Sequence, residues 1–230
     1  MQALIVSGGH LDDSFAAAYF LSHSFDVAIA ADSGMEFFAR HGWAPDYIVG
    51  DFDSVEPKVL QGYFSAGKPA SQEGQEEEGQ KKPVILQFQP EKDETDTEIA
   101  IRMAIEKGCG TIHLLGATGT RIDHVLGNIH LLGMAMERGA ECLMVDPYNR
   151  VRMVRKGFVL KKEEQYGGFL SLLPVTPEVS GLTLRGLKYP LENAVLRCYH
   201  SLGVSNEITG EQAEVSFQEG VLLVVESKDD

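Results

Sequence analysis

Cysteine is scarce in this chain. Cys109, Cys142 and Cys198 are the only three among 230 residues, far apart and with no C-x-x-C pair. That count excludes a disulfide framework and a zinc knuckle, and the apolar surroundings of each read as buried packing positions. Positive charge is also in short supply: 20 Lys and Arg stand against 34 Asp and Glu, a formal net charge of −14. Such a chain lacks the basic face with which proteins hold nucleic acid. A nucleotide is not excluded, because a divalent cation can bridge carboxylates to phosphates. Long apolar runs are missing, none approaching the roughly 18–20 residues of a membrane span. The first residues, Met1 to Gly9, hold a short apolar run with no basic region ahead of it. The expectation is a soluble, cytoplasmic protein that opens on a strand and not on a signal peptide. The Walker pattern G-x-x-x-x-G-K-[ST] and the protein-kinase motif set are absent as well.

What is present is a strand–helix alternation. Ala3 to Val6 is an apolar run ending in Ser7-Gly8-Gly9, followed by a helical segment from Asp12 to Leu21. A Gly-Gly turn there is weak support for phosphate binding, since tight turns need glycine for steric reasons alone. Asp26 to Ala31 reads as a second strand ending in Asp32-Ser33-Gly34, with a helix from Met35 to His41. Tyr47 to Val49 is a third, released by Gly50 into Asp51-Phe52-Asp53-Ser54 ahead of a helix from Pro57 to Phe64. Residues 65–83 are rich in Gly, Gln and Glu without a large apolar side chain, and read as a mobile surface loop. Val84 to Leu86 resumes the sheet. Thr95 and Glu98 form a capping-box pattern at the start of a helix from Asp96 to Lys107. Thr111 to Leu115 leads into Gly116-Ala117-Thr118-Gly119-Thr120-Arg121-Ile122-Asp123-His124 and a helix from Val125 to Arg138.

Glu141 to Asp146 closes the alternation. Beyond Asn149 the texture changes to short β-branched segments separated by Gly and Pro, ending on Val221 to Val225. The fold expected is α/β: an N-terminal doubly wound, mostly parallel sheet domain over residues 1–148, then a smaller all-β sandwich or barrel over 149–230.

Four loops at the C-terminal ends of strands carry Asp32; Asp51 and Asp53; Asp96; and Asp123 with Arg121. In a doubly wound sheet such loops gather along one edge. Asp51 and Asp53 stand two apart, and on extended backbone both carboxylates project to one side, where they repel unless a cation lies between them. Plainer readings exist: Asp32, Asp53 or Ser54 as helix caps, and His124 as a capping histidine. Five carboxylates on one edge are nonetheless best relieved by Mg²⁺ with phosphate oxygens. Gly116 and Gly119 allow close backbone approach to a ligand, and Arg121 offers a rigid fork of donors suited to phosphate. The physical inference is phosphoryl-type transfer on a scaffold unrelated to the P-loop.

These motifs resemble the thiamine pyrophosphokinase family. The matching pieces are Ala31-Asp32-Ser33-Gly34, Gly50-Asp51-Phe52-Asp53-Ser54, Lys92-Asp93-Glu94-Thr95-Asp96 and the Gly116–His124 run, with weaker matches at Gly186-Leu187-Lys188-Tyr189 and Ser205-Asn206. The resemblance implies transfer of pyrophosphate from ATP to thiamine with Mg²⁺, in a homodimer whose active sites lie at the subunit interface. It also implies that Asp51, Asp53 and Asp96 hold Mg²⁺, while Asp32 and Asp123 complete the acidic site and one Asp accepts the hydroxyl proton. Arg121 and Lys92 would brace the phosphates, with Thr95, Gly116, Thr118, Gly119 and His124 among the substrate-binding positions. Ser205 and Asn206 would contact thiamine, and Tyr189, where some members carry Trp, would stack on it. The rivals are a metal-dependent nucleotide pyrophosphohydrolase using the same acidic edge, and a non-catalytic thiamine or nucleotide sensor.

Overall fold

The computed structural model describes residues 1–53, 55–66, 82–89 and 93–229. The readings made for Ser54, Lys92 and most of the 65–83 stretch lie outside the described residues. The chain divides into two compact units between Ala140 and Glu141, rather than after Tyr148.

Among its described residues the first unit holds five strands, β1 (Gln2–Val6), β2 (Val27–Ala31), β3 (Tyr47–Gly50), β4 (Val84–Gln87) and β5 (Thr111–Leu115). Its helices are α1 (Asp13–Ser22), α2 (Met35–His41), α3 (Pro57–Ala66), α4 (Asp96–Glu106) and α5 (Ile122–Glu137). The strands are parallel in the order β4-β3-β2-β1-β5. β2 is buried along its whole length and β1 beyond Gln2, which is why both read as unbroken apolar runs. The sheet grows from β1 to β4 in one direction and then returns to set β5 on the other flank of β1. Right-handed crossovers made in opposite directions put their helices on opposite faces, and α2 packs on α3 while α4 packs on α5. The reversal falls between β1 and β5, where an open α/β sheet leaves a crevice at its C-terminal edge.

Ile5, Ile29, Phe37, Phe38, Ile48, Ile101 and Leu114 are among the largest fully buried side chains of this unit. Each contributes on the order of 1.5–3 kcal/mol by leaving water. Local signals fix the helix starts. Asp12 accepts from the Phe15 amide at 2.8 Å, and Thr95 from the Glu98 amide at 3.2 Å. α5 starts at Ile122, earlier than the Val125 expected, because Asp123 and His124 interrupt the apolar spacing by which a helix is recognised.

Among its described residues the second unit contains no helix longer than a single 3₁₀ turn. Its strands are β6 (Glu141–Val145), β7 (Asn149–Val154), β8 (Phe158–Lys161), β9 (Phe169–Pro174), β10 (Glu178–Arg185), β11 (Leu191–Arg197), β12 (Gln212–Ser216) and β13 (Leu222–Ser227). β6, read from the sequence as the last strand of the alternation, turns back antiparallel onto β7. One antiparallel set runs β6-β7-β13-β9 and the other β11-β10-β12-β8. Leu170, Leu172, Leu222 and Val224 from the first set and Leu160, Val179, Leu182, Leu184, Leu196 and Val215 from the second share one core. The architecture is a sandwich. Glu226 continues the inward row of β13 and is only 1% exposed. It accepts from Arg150 Nε at 3.1 Å and Nη2 at 2.6 Å and from the Tyr166 amide at 2.9 Å, so its buried charge is fully partnered. Cys109 and Cys142 are buried as expected, but Cys198, just past β11, is only half-buried.

Candidate active site

Past the ends of β1 and β5 the two following loops remain bonded to one another. Ser7 N donates to Leu115 O at 2.9 Å, Gly9 N to Gly116 O at 2.7 Å and His10 N to Thr118 O at 2.7 Å. Glycine is required on both sides. A Cβ on Gly9 would lie 2.4 Å from the Gly116 oxygen, and one on Gly116, whose φ is +65°, would lie 2.3 Å from the Ser7 oxygen. The close approach that Gly116 permits is therefore to the neighbouring loop. The amides of Gly9 and His10 are likewise spent on that loop, which removes them as donors to a phosphate.

The bonded loops wall a cleft of about 1030 Å³ at the switch point. Asp32 enters it from a 3₁₀ turn directly after β2, Asp51 from the end of β3, and Asp96 from the first turn of α4. One oxygen from each of these half-buried carboxylates lies within 4.8 Å of the other two. Asp32 sits at φ +51° and Phe52 at φ +65°. For a bulky side chain such as Phe that conformation costs about 1–2 kcal/mol, and departures of this kind concentrate at functional sites. Burial of the Phe52 ring, 5% exposed, offsets the cost.

The left-handed turn at Phe52 also corrects the reading of Asp51 and Asp53 as neighbours on extended backbone. It breaks the pleat, leaves Asp53 exposed and outside the three-carboxylate group, and lets the Asp53 amide donate to Asp51 Oδ1 at 3.2 Å. The Ser7 and Thr97 hydroxyls, 2.6 Å apart and buried, tie the β1 loop to the first turn of α4.

On the other wall, Arg121 grips Asp123 through Nε to Oδ1 at 3.2 Å and Nη2 to Oδ2 at 2.6 Å. The guanidinium holds the Asp123 carboxyl at about 2, and the carboxylate in turn raises Arg121. Asn128 Nδ2 donates to Ala117 O at 2.8 Å and so anchors the Gly116–Thr120 loop onto α5.

Asp32, Asp51, Thr95, Asp96, Thr118, Gly119, Arg121, Asp123 and His124 thus border one cleft, whereas Asp53 and Gly116 do not border it. His10, Glu94, Asn128 and His130 also line it and were missed by sequence reasoning. The available signal was the pair His124 and Asn128, polar side chains one helical turn apart on α5. The sequence reading followed the apolar stripe beside it.

In the second unit, Asn206 is buried and committed to backbone. Its Oδ1 accepts from the amides of Tyr189 and Glu207, each at 3.0 Å, and its Nδ2 donates to Tyr189 O at 2.8 Å. Asn206 therefore fixes the segment bearing Tyr189, whose ring is 58% exposed. Ser205 stands at φ +55°, its amide donating to Ser171 Oγ at 2.9 Å. Lys188 pairs with Glu207 at 2.5 Å.

Two family models match the chain in succession. The thiamin pyrophosphokinase catalytic domain matches residues 19–144, more than half the chain. The chain belongs to the thiamine pyrophosphokinase family. The family's vitamin B1 binding domain matches residues 158–222. The thiamine pyrophosphokinase of Bacillus subtilis is 31% identical over 201 residues, covering 87% of each chain. A crystal structure of the Bacillus subtilis enzyme has a TM-score of 0.84 at 29% identity over the whole of both chains. That from Geobacillus thermodenitrificans has 0.79 at 30% identity, covering all of this chain and 99% of the other. Yeast thiamin pyrophosphokinase, at 17% identity and a TM-score of 0.77, shares the fold across 98% of this chain and 86% of its own. Members of the thiamine pyrophosphokinase family are enzymes of the transferase class, and the α/β-then-β architecture expected from the sequence is theirs.

Proposed function

We propose that the chain transfers the pyrophosphoryl group of ATP to the hydroxyl of thiamine, yielding thiamine diphosphate and AMP, with Mg²⁺ as cofactor. The observation that carries this reading is the meeting of Asp32, Asp51 and Asp96 at the switch-point cleft of a chain that matches the family along both units. The donor set suits the ion: three hard, half-buried carboxylate oxygens from three separate loops, with room beside them for phosphate and water. Asp32, Asp51 and Asp96 would hold it, and Asp53 would act by fixing the Asp51 carboxylate through its amide. Mg²⁺ bound there supplies charge neutralisation and orientation of the triphosphate.

The remaining work falls to the protein. Arg121 braces phosphate oxygens with a planar fork of donors. Asp123, whose carboxyl that guanidinium lowers to about 2, is a weaker base for the proton of the attacking hydroxyl than an ordinary carboxylate. The exposed face of Tyr189 supports stacking on the cationic ring of thiamine, with Asn206 setting its backbone. The reading includes a homodimer with active sites at the subunit interface, and a cytoplasmic location. No helix among the described residues is long and apolar enough to cross a membrane.

The test is to measure AMP and thiamine diphosphate from ATP with and without thiamine and Mg²⁺. Equal amounts of both products, formed only with both additions, are expected. ATP cleavage without thiamine would assign a hydrolase, and thiamine binding without turnover a sensor. Light scattering at working concentration gives twice the chain mass for the dimer.

A further inference from the structure

Arg121 occupies the N-cap position of α5, yet its side chain makes no cap hydrogen bond. Its guanidinium turns instead to Asp123 in the first helical turn, which takes Nε and Nη2 side-on. Two of the five N–H donors are consumed, and no other acceptor among the described residues engages the group. Both side chains border the cleft and are about two-thirds exposed, 69% and 65%. An ion pair so exposed adds almost nothing to stability. Its effect lies in orientation: an arginine has many rotamers to lose on binding, and a carboxylate carried on a helix turn removes most of them in advance.

We infer that Asp123 is a positioning residue for substrate phosphate: it grips the side edge of Arg121 so that the guanidinium's remaining edge is presented in the cleft to a pair of phosphate oxygens. The inference rests on the reading of the cleft as a polyphosphate site, and names what its arginine needs. It runs against simple charge counting, by which deleting a carboxylate beside a polyanion strengthens binding. The two accounts therefore predict opposite signs.

The experiment is calorimetric titration of the full chain with inorganic tripolyphosphate, with EDTA present and ionic strength fixed, so that no metal bridges carboxylate to phosphate. Asp123→Ala is expected to weaken binding about three- to tenfold, the cost of ordering one long side chain on the ligand. In an Arg121→Lys background the same substitution is expected to give no loss, or a gain, because an ammonium has no side edge to be gripped. Tighter or unchanged binding by Asp123→Ala in the Arg121 background overturns the inference. So does an equal loss in both backgrounds, which would mean that Asp123 acts on the ligand directly, and so does failure of the unaltered protein to bind tripolyphosphate. Asp123→Asn replaces Asp123→Ala if the latter does not fold. A protein that binds tripolyphosphate in this pattern but forms no thiamine diphosphate would overturn the proposed reaction and leave the role of Asp123 standing.

Discussion

The hydroxyls of Ser7 and Thr97, ninety residues apart in the chain, share a buried hydrogen bond of 2.6 Å. It joins the loop after β1 to the α4 turn that carries Asp96, and so helps to register one wall of the cleft against another. Thr97→Val keeps the shape and leaves the Ser7 hydroxyl buried without that partner. A loss of about 1–3 kcal/mol is expected, read by urea or thermal denaturation. Adding Ser7→Ala should recover part of it, since both polar groups are then gone.

Asp51 and Asp53 should separate on mutation. Asp51→Asn removes a member of the three-carboxylate group and is expected to lower turnover about a hundredfold or more. It should also raise the melting temperature of the ligand-free protein slightly, by relieving repulsion. Asp53→Ala leaves that group intact, and a loss of less than about tenfold is expected. Equal and large losses would return Asp53 to the metal site.

Acid should act on Asp123 only at very low pH. Its carboxyl is lowered from an ordinary 3.8 to about 2, first by the bond to Arg121. A depressed carboxyl contributes stability that is fully present above the unfolded value and is lost as pH falls through the folded one. The contribution of Asp123, small for so exposed a pair, therefore fades between about pH 4 and 2. Carbon-detected NMR titration should give a midpoint near 2, and Arg121→Ala should bring it back toward the ordinary range.

The thiols should react in two classes. Burial pushes Cys142 up to about 12 and raises Cys109 as well. Only the half-buried Cys198 is open to reagent in the folded chain. One thiol equivalent should label quickly with Ellman's reagent at pH 8, and the other two only on unfolding. Cys198→Ser should abolish the fast phase.

The strands were legible because a parallel strand buried on both faces is a continuous apolar run; β1, β2 and β3 come close to that form, and β5 departs from it at His113. The loops of Asp32 and Asp51 were legible because each follows such a run directly. What escaped depends on backbone conformation or on contacts distant in sequence. Nothing in the letters around Phe52 announces a φ of +65°, so Asp53 was expected beside Asp51. The start of α5 was placed at its first apolar stripe, which concealed Asn128 and His130 on the face that meets the cleft. Asn206 looked like a ligand contact because a motif position does not reveal whether an amide serves substrate or backbone. Here it bonds the main chain of Tyr189 from both sides.

β13 is the latest strand in chain order, yet it lies between β7 and β9 and bonds to both. A ribosome making this protein has released β7 and β9 well before the strand that joins them. Until Leu222 to Ser227 emerges, two open strand edges face solvent, each able to pair with another nascent chain. A premature stop or stall upstream of Leu222 would therefore leave a species prone to aggregate, even with the entire first unit already folded. The yield of this protein in cells should therefore depend on how promptly β13 follows the two strands it joins.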